Sequence, residues 1–452
     1  MNIIIVGCGK VGVTLAEKLS QEEHDITVID TNRERVTDIT NRFDLMGFVG
    51  NGASFELLRE AGIESADLFI AATDQDEINL LCCLFARQAG KCSTIARVRN
   101  PQYRNEISYI KEELGLAMVL NPDYDAAMEI ARILRFPSAN NVDTLSKGRV
   151  ELIRIQIDDK SFLANKSLID IGKSTKSKVL ICMVLRDGEV IIPNGPFVIK
   201  PGDTIGVICT PQSAREFFKQ VGYDTHQVKN TMIIGGSRMA YYLANQLINS
   251  GISVKIIERE RNRCEELSEL IPKASIICGD ATNEDVLLEE GLEGVESVVS
   301  LTGMDEGNIF LSLYAKSVSK AKVITKINKL EASDIVKNFA LGSVVTPKNI
   351  SSDLVVSYAR AKQSTLGSNV ETVYRIENEK IEVLEFKITN DAPIVGTPVE
   401  ELKLKDNLLL GCVTRNSKAS IVNGKTVIQP GDSLVVITTN KGYKDIKDII
   451  KA

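Results

Sequence analysis

Gly7-Cys8-Gly9-Lys10-Val11-Gly12 is the stretch of this chain whose residue types and spacing best suit chemistry, and Asp30 follows it 18 residues after Gly12. A Gly-x-Gly-x-x-Gly loop between a strand and a helix points backbone N–H groups, at the positive end of the helix, toward a pyrophosphate. Gly7 permits the tight turn, Gly9 lets the backbone approach the phosphates, and Gly12 lets the helix pack against the strand. The side chains between them, Cys8, Lys10 and Val11, belong to the same candidate site. A carboxylate at the position of Asp30 accepts hydrogen bonds from ribose hydroxyls and repels a 2′-phosphate. That favours NAD(H) or an adenine nucleotide over NADP(H), with Arg33 as a nearby counter-indication. Asn51, Thr73, and the pair Arg97 and Arg99 fall after the third, fourth and fifth apolar runs, where open α/β sheets bind ligands. A period of two puts Arg97 and Arg99 on one side of their strand, and two cations there suit nucleotide phosphates. The plainer alternatives are glycines that serve packing alone, and an Arg99 that is solvated or paired with Glu106 or Glu112.

The elements that position these residues alternate. Apolar runs at Ile3–Val6, Ile26–Ile29, Leu45–Val49, Asp67–Thr73, Thr94–Val98 and Ala117–Leu120 read as strands. Between them, Val11–Leu19, Asn32–Thr40, Ser54 to about Gly62, Glu77–Ala89, a helix opened by Pro101, and Asp123–Leu134 read as helices. Uniformly apolar strands alternating with helices predict a parallel sheet covered on both faces, a doubly wound Rossmann domain. After Pro137 the pattern changes. Asn140–Lys147 reads as a polar linker, Glu151–Ile157, Val179–Leu185, Val190–Ile192 and Thr204–Cys209 as strands, and Gln212–Gln220 as a closing helix. Asp187-Gly188, Asn194-Gly195 and Pro201-Gly202-Asp203 are turn signals between them, so this stretch is a small α+β domain.

The chain then repeats itself. Asn230 to Ala240 echoes the first loop, with Gly235 standing 228 positions after Gly7 and Glu258 the same distance after Asp30. Asp280 and the turn Pro430-Gly431-Asp432 follow their counterparts Asn51 and Pro201-Gly202-Asp203 by 229. One unit has been duplicated, which predicts two Rossmann domains, 1–136 and 229–362, each followed by a small α+β domain, 140–224 and 370–452, with a polar joint at Gln363–Asn369. In the second copy Gly235, Glu258, Asp280, Thr302 and Lys326 match Gly7, Asp30, Asn51, Thr73 and Arg97, but Ser237 replaces Gly9, Ala240 replaces Gly12 and Asn328 replaces Arg99. Ser237 adds a side chain where backbone should meet phosphate, so the second site is either of altered specificity or empty.

The bulk properties narrow the class. Of the 452 residues, 44% are hydrophobic and 25% charged, as in ordinary globular domains, and the net charge of −6 argues against broad binding to nucleic acid. No apolar run reaches the ~18 residues needed to span a bilayer, and the chain enters its first strand without a signal-peptide pattern. The nine cysteines show no Cys-x-x-Cys spacing, and the two histidines, His24 and His226, lack partners at metal-ligand spacing. Hydride transfer needs an acid or base beside the nicotinamide. His24 falls before the second strand and His226 between the copies, and no nucleophile elbow, Walker loop or zinc signature is present. Two nucleotide pockets without a catalytic constellation read as a sensor. A soluble NAD-dependent oxidoreductase is the alternative.

Taken together, Gly7 to Gly12 with Asp30, Gly50-Asn51-Gly52-Ala53, Leu57-Leu58-Arg59-Glu60-Ala61-Gly62, Ala72-Thr73-Asp74 and Ala96-Arg97-Val98-Arg99 resemble the TrkA family, over essentially the whole chain. These are the tandem-RCK regulatory subunits of Trk/Ktr-type K⁺ transport. The resemblance implies a non-enzymatic cytoplasmic protein, held peripherally at the inner face of the plasma membrane by a TrkH/TrkG-like K⁺-translocating subunit. It implies a homo-oligomeric ring, as dimer or tetramer, whose units shift on binding NAD(H), with ATP and ADP as competing ligands. It carries the nucleotide role to Gly7, Gly9, Gly12, Asp30, Asn51, Thr73, Arg97 and Arg99.

Overall fold

The computed structural model describes residues 1–22, 24–103, 106–135, 141–146, 149–175, 177–223, 228–328, 341–364, 370–376, 380–416 and 418–451. The first domain runs β1 (Asn2–Val6), α1 (Lys10–Ser20), β2 (Asp25–Asp30), α2 (Arg33–Phe43), β3 (Met46–Val49), α3 (Phe55–Glu60), β4 (Leu68–Ala71), α4 (Asp76–Ala89), β5 (Ser93–Arg97), α5 (Ile107–Glu113), β6 (Met118–Leu120) and α6 (Pro122–Arg135). Its sheet has the order β3-β2-β1-β4-β5-β6, with every pair parallel. That is the doubly wound order, and it reverses direction between β1 and β4, the position where such sheets take ligands. β1 and β4 are buried along nearly their whole length, which is why their sequences are unbroken apolar runs. Pro101 opens only a 3₁₀ turn, Pro101–Tyr103, and the helix begins at Ile107.

The small domain contains β7 (Asn141–Leu145), β8 (Val150–Gln156), α7 (Leu168–Ser174), β9 (Val179–Arg186), β10 (Glu189–Ile191), β11 (Thr204–Cys209) and α8 (Pro211–Gln220). Its sheet order is β10-β9-β11-β8-β7, antiparallel throughout. The expected linker Asn140–Lys147 is therefore largely a strand. Val142 and Leu145 are buried, and the polar residues between them gave the stretch its loop-like composition. Helix α7 is a further element that the turn signals hid; Ser167 caps it by accepting from the Asp170 N–H.

The second copy repeats both domains. Its parallel sheet is β14-β13-β12-β15-β16-β17, built from β12 (Asn230–Ile234), β13 (Ser253–Glu258), β14 (Ser275–Cys278), β15 (Ser297–Ser300), β16 (Lys322–Lys326) and β17 (Ser343–Val345). The intervening helices include α9 (Arg238–Asn249), α10 (Arg261–Leu270), α11 (Glu284–Glu289) and α12 (Asp305–Val318). The last sheet is β18-β19-β22-β20-β21, with β18 (Val370–Ile376), β19 (Ile381–Lys387), β20 (Leu408–Arg415), β21 (Lys418–Ile421) and β22 (Ser433–Thr438). In the expected joint, Gln363 and Ser364 finish the helix Pro347–Ser364, while 365–369 lie outside the described residues, as does His226. Among the described residues no helix is long and apolar enough to cross a membrane.

The chain divides into two compact units that sort like with like. One joins Met1–Ala131 to Val228–Val356, and the other joins Arg132–Gln227 to Ser357–Ala452. In the first unit the two Rossmann domains hold each other through the helices that follow their last strands. Lys18 of α1 pairs with Asp353 at 2.6 Å, Ser351 donates to Asp125 at 2.8 Å, and the Tyr124 and Tyr242 rings meet edge to face. In the second unit Leu152, Met183 and Ile208 of one small domain share a core with Val383, Cys412 and Ile437 of the other.

The Pro-Gly-Asp turns do more than reverse the chain. Arg186 grips Asp203 with both arms at 2.7 Å, and Asp203 also accepts the Lys200 N–H. Arg415 and Asp432 repeat the arrangement at 2.8 Å. Burial alone would raise the Asp203 carboxyl, but the bonds from Arg186 and the Lys200 N–H outweigh it and hold the group below its ordinary value. A carboxyl depressed in the folded state adds stability above its unfolded pKa, near 4, and that stability fades as pH falls through the folded value. Arg186→Met is expected to cost about 3 kcal/mol at neutral pH by stranding a buried charge. The lone carboxyl then favours its protonated form, so the variant should lose less stability than the parent between about pH 5 and 3. Urea unfolding of the full chain at several pH values checks this, and parallel pH slopes for the two proteins would refute it.

Candidate functional site

A cleft of about 640 Å³ opens at the C-terminal ends of the first parallel sheet. Gly7, Gly9, Lys10 and Val11 form one wall, Asp30 a second, Asn51 a third, and Thr73 with Arg97 a fourth. The sheet topology thus brings eight of the expected residues to one place. Gly7 lies in the left-handed region, at φ 101°, and a Cβ there would come within 2.9 Å of the Ala72 carbonyl. A Cβ on Gly12 would lie 1.8 Å from Gly7 O, so this glycine is required for packing, away from the cleft lining. Gly9 has open space where its Cβ would stand. It precedes α1 as an N-cap without a side-chain bond, which leaves the first N–H groups of the helix aimed at the cleft. Cys8 is buried behind the loop.

The remaining walls are held by hydrogen bonds to backbone. Asp30 Oδ2 accepts Cys8 N–H at 2.6 Å and Oδ1 accepts Asn32 N–H at 2.8 Å, so the carboxylate ties the glycine loop to the strand end while facing the cleft. Asn51 Oδ1 accepts Ala53 N–H. Arg97 reaches under the loop to donate to Thr73 O at 3.0 Å. Burial, with Arg99 beside it, pulls its guanidinium down to about 10, still a cation at neutral pH. Its Nε is buried with no hydrogen-bond partner. Arg99 lies outside the cleft lining because β5 ends at Arg97; its side chain turns to Asp74 O at 2.9 Å and its backbone N–H donates to Asp76.

Three contributors were not foreseen. Arg35 and Asn32 line the cleft, whereas Arg33, the counter-indication to NAD(H), does not. Asn79, fully buried on α4, accepts both the N–H and the hydroxyl of Thr73 and donates to Thr73 O and Arg97 O, clamping β4 to β5 under the cleft. In the second copy Asn308 makes the same four bonds to Thr302 and Lys326. The recurrence of Asp76-Glu77-Ile78-Asn79 as Asp305-Glu306-Gly307-Asn308 was the available signal.

The second loop is built differently. Gly235 keeps the left-handed turn, at φ 99°, and Glu258 accepts Gly236 N–H at 2.6 Å. Ser237 caps α9, its hydroxyl accepting Ala240 N–H, so a donor left open in the first copy is taken here. Lys326 is buried, its ammonium donating to Leu301 O, and Asp280 accepts both donors of Thr282. The second domain also backs the first site: Tyr242 donates to Arg99 O at 2.9 Å and Asn121 donates to Tyr242.

Comparison with known proteins follows this division. A model described as TrkA-N domain matches residues 3–122 and 231–347, and one described as TrkA-C domain matches 152–222 and 383–451. The Trk system potassium uptake protein TrkA of Haemophilus influenzae is 30% identical over 455 residues, covering 100% of this chain and 98% of that one. This chain belongs to the TrkA family. The Archaeoglobus fulgidus TrkA homolog is also 30% identical, with both chains covered in full. Among solved structures, the GsuK RCK domain matches with a TM-score of 0.64 at 18% identity, covering 97% of this chain and 92% of that one. A GsuK channel bound to NAD matches at 0.63 and 18%, covering 97% and 77%. At that identity the likeness establishes the common tandem fold.

Proposed function

We propose that this chain is a non-catalytic, nucleotide-sensing regulatory subunit of potassium transport. It binds NAD(H) in the first cleft, with ATP or ADP competing there, and acts on a membrane K⁺-translocating subunit as part of a ring of identical chains. The observation that carries the reading is the cleft itself, where open helix N–H groups, the Asp30 carboxylate and a desolvated arginine converge. Family membership and the tandem fold shared with a GsuK channel bound to NAD support it. A ligand moves such a ring only if it binds the two ring states with different affinity. Arg97, fixed to the backbone at Thr73, is suited to feel the phosphates, and Gly235, Glu258, Asp280, Thr302 and Lys326 are the corresponding residues in the second domain.

Calorimetric titration with NADH, NAD⁺, ATP and ADP tests this. Saturable binding is expected, weakened about 10- to 100-fold in Asp30→Ala, the effect of losing a charged hydrogen-bond acceptor worth about 1.5–3 kcal/mol. Absence of binding by all four would overturn the reading.

A further inference from the structure

Cys264 lies in the first turns of α10, and Cys278 ends β14. The strand register sets Cys278 beside Glu258. Cys264 Sγ lies 3.2 Å from Glu258 O, and Cys278 Sγ lies 3.9 Å from Arg259 O. The two sulfurs therefore converge on the carbonyls of two consecutive residues, one turn of backbone. Cys264 is buried, whereas Cys278 is exposed and the other cysteines are buried. The first copy has Val36 and Val49 at the same two positions, with Val49 in the same register beside Asp30. Thus the fold places this pair of positions together in both copies, and only the second puts sulfur on both. Cys82, Cys83 and Cys92 also lie near one another, but none of them is exposed to an oxidant in the folded chain.

We infer that Cys264 and Cys278 form a reversible dithiol–disulfide site, oxidised by hydrogen peroxide. The Cys278 thiolate attacks peroxide; an S–O bond forms, the O–O bond breaks, and hydroxide leaves. The Cys264 sulfur, giving up its proton, then attacks the Cys278 sulfur; the S–S bond forms, the S–O bond breaks, and the second oxygen leaves as water. Two thiols lose two electrons and one peroxide becomes two waters. Burial, with Cys278 close by, holds the Cys264 thiol up at about 11. The exposed Cys278 therefore meets the oxidant and Cys264 resolves the intermediate. A dithiol reductant reverses the bridge by exchange. The bridge ties α10 to β14 around the turn whose Glu258 carboxylate holds Gly236 N–H.

The test treats the full chain with hydrogen peroxide, alkylates the remaining thiols and maps peptides by mass spectrometry. A Cys264–Cys278 cross-linked peptide is expected, with the other seven cysteines alkylated and the link lost on adding dithiothreitol. Cys264→Val should leave Cys278 as a sulfenic acid captured by dimedone, and Cys278→Val should leave Cys264 alkylated. Valine is the residue that the first copy uses at both positions, so both variants retain the packing, and circular dichroism verifies that they fold. The inference is overturned if wild-type Cys278 accumulates as sulfenic acid or as a link between two chains while Cys264 stays alkylatable. It is overturned equally if Cys278 resists peroxide altogether.

Discussion

Gly12→Val should destabilise the first Rossmann domain by about 3 kcal/mol or more, while Gly9→Ser should leave stability within about 0.5 kcal/mol of the parent and weaken nucleotide binding more than tenfold. The two glycines share a motif but differ in what surrounds them. Any Cβ on Gly12 runs into the Gly7 backbone at 1.8 Å, and backbone cannot swing aside as a long side chain would. The second copy carries Ala240 here, so one methyl is compatible with that turn, but a branched side chain is not relieved by the same adjustment. At Gly9 a Cβ finds open space within 4 Å, at a position that lines the cleft. Serine there takes the part of Ser237, capping the helix and putting a side chain where backbone should meet phosphate. Urea unfolding beside calorimetric titration separates the effects. Equal stability of both variants would show that α1 does not depend on its close approach to the loop.

Asn79→Ala should be the most damaging polar-to-alanine change near the site, at about 3 kcal/mol, because it removes four hydrogen bonds at once and takes their amide partner from the Thr73 N–H and the Arg97 carbonyl. Its amide closes four bonds among Thr73 and Arg97, with no exposed surface to admit replacement water. Asn79→Asp should fare no better, since it keeps the acceptor but turns a charge on two carbonyl oxygens. Both variants are expected to bind NADH more weakly, because Thr73 and Arg97 would lose their fixed spacing. Denaturation midpoints and titration on the same samples give the answer; a loss under about 1 kcal/mol in the alanine variant would show that the clamp is redundant.

The parallel sheets were legible because strands covered on both faces must be apolar throughout, as Ile3 to Val6 and Leu68 to Ala71 are. Strand β7 was not, because its polar residues Asn141, Asp143 and Thr144 outnumber the buried Val142 and Leu145. Position along the chain was enough to find Asp30, Asn51 and Thr73, since doubly wound sheets deliver strand ends to one edge. It misplaced Arg99, because the period of two holds only while the strand lasts and β5 stops at Arg97. Arg35 escaped notice because α2 begins at Arg33 and turns the residue two positions later toward the cleft. Asn79 gave no signal of type: a single amide on an apolar helix reads as tolerated polarity until its recurrence as Asn308 is weighed.

The sorting of like domains has a consequence for how the two copies evolve. The polypeptide passes between the compact units three times, near 131, 227 and 356, so neither repeat is a separable half. Cutting at residue 228 would not release two finished proteins; it would split both units down the middle. The chain is in effect a dimer whose partners have been sewn together, and sewing removes the obligation of symmetry. A substitution in a true dimer strikes both sites, whereas here the second copy has Ser237 and Ala240 where the first has Gly9 and Gly12, and Cys264 and Cys278 where the first has Val36 and Val49. The altered half still lends Tyr242 to the backbone of Arg99. One binding site is thereby released to drift while its scaffold stays under the other's selection.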